Sequence, residues 1–87
     1  MEFEWDEKKS RANKSKHGID FNTATELWND QDRIEIHTNF STENRNSLIG
    51  KTGEKLWTAI FTRRMDAIRI ISVRRARKKE TKLYEHK

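Results

Sequence analysis

The chain has 87 residues, enough for one small domain, and with 32% apolar against 38% charged residues its core is modest. It has no cysteine, which excludes a disulfide framework, a thiolate metal site and a cysteine nucleophile and points to the cytosol. No apolar run approaches the roughly 18 residues of a membrane span, and the charged start, Met1 to Ser10, resembles neither a secretory signal nor a transit peptide.

Asp6 can cap a helix that runs to about His17, with Gly18 ending it. That segment is almost wholly polar, and Trp5 just before it is placed to act as a hydrophobic staple. Asp20 or Asn22 can cap a second, shorter helix to about Asn29, in which Phe21, Ala24, Leu27 and Trp28 form one apolar stripe. After Asp32 the period changes. Arg33 to His37 alternates polar and apolar as a half-buried strand does. Thr38 to Asn44 reads as a loop with Phe40 as its anchor, and Arg45 to Lys51 as a second strand. The stretch Lys51-Thr52-Gly53-Glu54 is a good hairpin turn. Leu56 to Arg63 forms a third strand, Arg64 to Asp66 a turn, and Ile68 to Val73 a fourth strand with the strongest signal. From Ala76 to about His86 the spacing is helical again.

The expected architecture is therefore α+β: two N-terminal helices, a four-stranded antiparallel meander and a C-terminal helix. The helices are expected to share one face of the sheet, leaving the other free for a ligand.

Charge is distributed unevenly. Residues 1–62 carry nine Lys/Arg against eleven Asp/Glu, whereas residues 63–87 carry ten against three. A basic patch of this kind attracts polyanions, and nucleic acid is the obvious class. His17, His37 and His86 share no ligand-type spacing, no phosphate-binding glycine loop is present, and no nucleophile-elbow sequence occurs. Neither a metal nor a cofactor is expected. What remains is arginine: Arg45, Arg63, Arg64, Arg69, Arg74, Arg75 and Arg77 lie on or beside the later strands and the last helix. Its planar fork binds phosphate through paired hydrogen bonds.

Metal-free RNA cleavage suits such a set. The substrate's own 2′-hydroxyl attacks, and the protein has to hold the backbone in line, stabilise charge and move two protons. Proton-transfer candidates are His17, His37, Glu35, Lys55, Tyr84 and Glu85. Each has a plainer reading. His17 precedes the helix-ending Gly18 and fits a C-terminal capping role. Glu35 and His37 fit a solvent-facing strand, and Tyr84 fits a ring packed on the sheet edge. Arg74-Arg75 is the most suggestive pair, because a helix N-terminus at that junction also favours anions. A basic module that binds nucleic acid without cleaving it, or a co-repressor subunit, is the competing function.

Three segments carry a family resemblance. The first is Phe3-Glu4-Trp5-Asp6-Glu7-Lys8 with Asn13, Lys16-His17-Gly18 and Phe21. The second is Glu43-Asn44-Arg45 with Ile49-Gly50, and the third is Arg69 to Ala76 with Lys78-Lys79-Glu80 and Tyr84-Glu85. In these segments the chain resembles the BrnT toxins of bacterial type II toxin–antitoxin systems, which have a RelE-like ribonuclease fold. The resemblance implies a translation-inhibiting ribonuclease acting on RNA. It also implies a BrnA-like antitoxin with a ribbon-helix-helix region, and operator DNA bound through that antitoxin. The family often has an aromatic residue where this chain has Asn46, so the second strand is expected to be less buried, or an edge. On this basis Arg45, Arg74 and Arg75 are the first candidates for phosphate binding or charge stabilisation. Arg69 and Tyr84 come next, and His17 is a candidate for proton transfer.

Overall fold

A computed structural model describes residues 1–37 and 44–86. The loop expected around Phe40, and Glu43 of the resemblance, lie outside the described residues. The elements in chain order are β1 (Glu2–Glu4), α1 (Glu7–His17), α2 (Phe21–Ala24), a 3-10 helix (Thr25–Asn29), β2 (Ile34–His37), β3 (Arg45–Thr52), β4 (Lys55–Arg64), β5 (Ala67–Arg75) and α3 (Lys78–Glu85).

The class is α+β, as expected, but the sheet is different. Five strands lie in the order β1-β5-β4-β3-β2, with β1 parallel to β5 and the other pairs antiparallel. The four-stranded antiparallel meander thus gains a parallel edge strand. Glu2-Phe3-Glu4 has one turn of polar–apolar alternation, too short to read as a strand without its partner. The second predicted helix breaks after one turn of α-helix and continues as 3-10. The strand containing Asn46 is not an edge: β3 lies between β2 and β4, and Asn46 is buried.

The core forms between one face of the sheet and the N-terminal helices. Ile19, Phe21, Ala24, Leu27 and Trp28 pack there on Leu48, Trp57, Ala59, Phe61, Ile68, Ile70 and Val73. Trp28 sits edge-on between Phe3 and Phe61, with ring centroids 5.1 and 5.2 Å away. Two apolar residues in succession, Ile70-Ile71, would break strict alternation on β5. A bulge resolves this: Phe61 pairs with Ile70 and Ile60 with Ser72, so Ile71 is skipped and Val73 returns to the core. Gly50 is required where the 3-10 helix crosses β3, because a Cβ there would meet the Leu27 carbonyl oxygen at 3.1 Å.

Helix α1 is attached differently. Its capping is orthodox, with the Asp6 side chain accepting from the Lys8 and Lys9 amides, and Gly18 closing it at φ 86°. Its buried residues, however, are Ser10 and Asn13. Beyond the short β1, the outer edge of β5 is open, and the Asn13 amide pairs with it as a strand would. Nδ2 donates to the Val73 carbonyl at 2.9 Å and Oδ1 accepts from the Val73 amide at 3.2 Å. Nδ2 also donates to the Ile19 carbonyl at 2.8 Å, and Ser10 Oγ accepts from the Phe21 amide at 2.9 Å.

The third helix corrects the expected layering. Ile49, Thr58 and Arg74 form a cross-strand row on the face away from the core, and α3 docks there through Thr58 and Arg74. The helices therefore flank both faces, and only part of the second face stays open.

Removing the Asn13 amide leaves three backbone groups without their partner. Asn13→Ala is expected to destabilise the fold by about 3 kcal/mol, against a few tenths for the exposed Asn22→Ala. Chemical denaturation measures both, and hydrogen exchange at the Val73 amide should accelerate in the first variant alone.

Candidate functional site

The part of the second face that α3 leaves uncovered is a cross-strand array. Arg45, Thr62 and Arg69 occupy one row across β3, β4 and β5. Ile36, Ser47, Ile60 and Ser72 form the next row. Strand alternation puts all of these away from the core, and they are exposed or half-buried. Glu4 of β1 pairs in register with Arg69 and continues the first row. Its Oε1 lies 3.8 Å from Arg69 Nη1 and 4.0 Å from Arg64 Nη1.

At the α3 end of this face stands Glu80. Its carboxylate takes both forks of Arg74, with Nη1 donating to Oε1 at 2.8 Å and Nη2 to Oε2 at 2.9 Å. Oε1 also accepts from the Thr58 hydroxyl at 2.9 Å and from the Arg77 amide at 2.7 Å. The Arg74 bonds above all, then those from Arg77 and Thr58, hold the Glu80 pKa down at about 2 against partial burial. The opposite end of α3 is fastened by Tyr84, whose hydroxyl donates to Asp30 Oδ2 at 2.7 Å. The same oxygen accepts from the Lys51 amide at 2.8 Å, so Asp30 joins α3 to β3. Partial burial, and then the hydrogen bond and charge of Asp30, push the tyrosine pKa up to about 12.

The candidates from sequence are thus distributed over several places. Arg45 and Arg69 share a row, and Arg74 lies on the same face but is engaged by Glu80. Arg75 points to the core side, its guanidinium over the Trp57 ring at 5.5 Å. His17 ends α1 and lines a crevice with Lys9, Phe21, Ile71 and Ser72, while Tyr84 lies on α3. Of the other proton-transfer candidates, Glu35 is paired with Arg63 at 2.6 Å, and His37 Nδ1 lies 3.0 Å from Asn46 Oδ1. Among the described residues no three His, Asp or Glu side chains come together as a metal site.

Sequence reasoning missed Glu80 and Asp30 as organising carboxylates. A glutamate three residues after a helix start was a visible signal for the first. Locally the second shows only as a turn residue, its Oδ1 accepting from the Asp32 amide, whereas the partners of its Oδ2 lie 21 and 54 residues away.

The two latches of α3 titrate at opposite extremes. Glu80 has a lowered pKa, so its contribution is complete above about pH 4.5 and is lost as pH falls toward 2. Tyr84 has a raised pKa, so its contribution is complete below pH 10 and is lost as pH rises toward 12. Glu80→Ala should cost about 3 kcal/mol at neutral pH, because it leaves Arg74 and Thr58 unpaired, and should flatten the acid limb of a stability–pH profile. Tyr84→Phe should cost about 1 kcal/mol and flatten the alkaline limb.

Comparison with protein families agrees with the resemblance seen in the sequence. The family described as ribonuclease toxin, BrnT, of type II toxin–antitoxin system matches residues 5–80. A comparison with curated proteins returns no match. Among the described residues no helix is long and apolar enough to cross a membrane. The family match spans both the Asn13-anchored helix and the arginine-bearing strands, and a type II system implies a protein antitoxin as partner. The chain belongs to the BrnT family of ribonuclease toxins of type II toxin–antitoxin systems.

Proposed function

We propose that the chain is an endoribonuclease that inhibits translation by cleaving RNA without a metal, through attack of the substrate's 2′-hydroxyl on the adjacent phosphate. The observation that carries this reading is the row of Arg45, Thr62 and Arg69 on the uncovered part of the sheet. Two guanidiniums on adjacent strand positions across one intervening residue suit a phosphodiester backbone. Their charge neutralises the phosphate as negative charge builds up at phosphorus. In this proposal Arg45 and Arg69 contact phosphate, and Arg74 borders the site while holding α3 through Glu80. Arg75 on the core side and Tyr84 on α3 stand away from the row, and these two and His17, at the edge of β5 beside Ser72, are given no part in substrate contact. Ser47, Ser72 and Thr62 offer hydroxyls, and Ile36 and Ile60 offer flat apolar surface, to ribose and bases crossing the face.

The partner reading follows from the same surface. A BrnA-like antitoxin with a ribbon-helix-helix region would neutralise the toxin by occupying the arginine face, and would carry it to operator DNA. Its binding would also add stability to a small core.

The test is cleavage of a defined RNA by the purified chain, in chelator and with translating ribosomes present or absent, alongside growth on induction with and without the antitoxin. Cleavage to 2′,3′-cyclic phosphate ends that persists in chelator, and growth arrest reversed by the antitoxin, are expected. Arg45→Ala and Arg69→Ala should each lower kcat/KM about 10²-fold or more with the fold intact. His17→Ala should change it less than about threefold, far below the electrostatic contribution of one site cation. Binding that falls steeply with salt and is never accompanied by cleavage would instead establish a non-catalytic nucleic-acid-binding or co-repressor subunit.

A further inference from the structure

We infer that Glu4 is the general base of this cleavage, taking the proton from the attacking 2′-hydroxyl; the inference rests on the ribonuclease reading above. Pairing of β1 with β5 sets Glu4 opposite Arg69, at the end of the row that begins with Arg45 and Thr62. A phosphate held by these arginines brings its own ribose to that end of the face.

The state of the carboxylate separates Glu4 from the others. Glu80 accepts four hydrogen bonds, and Glu35 is closed onto Arg63 at 2.6 Å. Glu4 Oε1, by contrast, is buried and accepts no hydrogen bond among the described residues. The arginine nitrogens at 3.8 and 4.0 Å orient it by charge without engaging its lone pairs. Oε1 itself is covered, but the side chain as a whole remains 40% exposed, so a bound ribose meets the carboxylate on the side away from Oε1. A carboxylate held in place by charge and reachable from the arginine row is what proton abstraction needs. The charged groups around it are Glu2 on its own strand, Arg64 and Arg69 on the neighbouring strands, and Asp66 in the β4–β5 turn.

In the step, the 2′-oxygen forms its bond to phosphorus as its proton passes to Glu4. The bond from phosphorus to the 5′-oxygen breaks, and that oxygen takes a proton from water. The products are a 2′,3′-cyclic phosphate and a 5′-hydroxyl, and Glu4 returns its proton to solvent.

The experiment compares the wild-type chain, Glu4→Gln, Glu4→Asp and the control Glu2→Gln. The probes are a short fluorescent RNA and the same oligonucleotide with a 2′-deoxy nucleotide at the cleaved position. Single-turnover rates are followed across the acidic range, and binding is measured on the deoxy probe. Glu4→Gln should slow cleavage about 10²-fold or more and abolish the acidic limb of the rate profile. It should also bind the uncleavable probe at least as tightly as wild type, since a negative charge has left a phosphate-binding face. Glu4→Asp should recover part of the rate with the acidic limb restored, and Glu2→Gln should cleave at the wild-type rate. If Glu4→Gln fails to fold by circular dichroism, the Glu4→Asp profile decides, and an unchanged limb and rate there overturns the assignment. Undiminished cleavage by a folded Glu4→Gln, or a loss matched by equally weakened binding, also overturns it while leaving the ribonuclease reading in place. A wild-type chain that cleaves neither free nor ribosome-bound RNA overturns both.

Discussion

The amide of Asn13 against the open edge of β5 is the interaction on which the arrangement depends. Strand β1 covers only the first part of that edge, from Ala67 to Arg69. Past it, the donor and acceptor of Val73 would face either water or nothing. A primary amide has the donor and acceptor geometry of a peptide group, so one side chain can complete a ladder that lacks a strand. Because Asn13 also holds the Ile19 carbonyl, it sets where the chain leaves α1 and enters the apolar stripe of Phe21, Ala24, Leu27 and Trp28. That stripe is the lid of the core. The position of the lid is therefore decided by polar pairing, and burial of apolar surface supplies most of the energy once it is in place.

The opposite face repeats this economy with charge. Helix α3 has no fully buried residue, and what fastens it is a carboxylate at each end: Glu80 on the helix and Asp30 on the body of the domain. By docking over Thr58 and Ile49 it divides the arginines into two populations. Arg74 becomes part of the fastening, whereas Arg45 and Arg69 stay on the uncovered part of the face. A set that looks uniform in sequence thus acquires separate duties from strand parity and from one helix.

How much of this could be read beforehand follows the range of the interactions. The helix cap at Asp6, a second cap at Asp20 or Asn22, the αL glycine at position 18, the hairpin at Gly53 and the four antiparallel strands are local patterns legible in the sequence, and the structure selects Asp20 for the second cap. The parallel strand was not, since Glu2-Phe3-Glu4 acquires its meaning only beside residues more than sixty positions later. For the same reason the sequence could mark Arg45 and Arg69 as candidates without showing that they share a row. It could suggest Tyr84 but not its bond to Asp30. The side occupied by α3 was misjudged because the eight residues of that helix carry too little apolar character to reveal which surface they cover. The functional class was more accessible than the site, because the segments resembling the BrnT family run through most of the chain.

The polar attachment of α1 has a consequence for how such a sequence can drift. A helix held by an apolar stripe must keep several large side chains in register with its neighbours. In α1 only Ser10 and Asn13 are buried, and all the others except the half-buried His17 are exposed. Its surface can accordingly be rewritten almost freely, including its charge, while two small polar positions stay fixed. Any protein contact that falls on this helix meets a surface able to change without disturbing the fold. Substitutions there cost the chain almost nothing in stability, so the helix surface is free to diverge while the fold is kept.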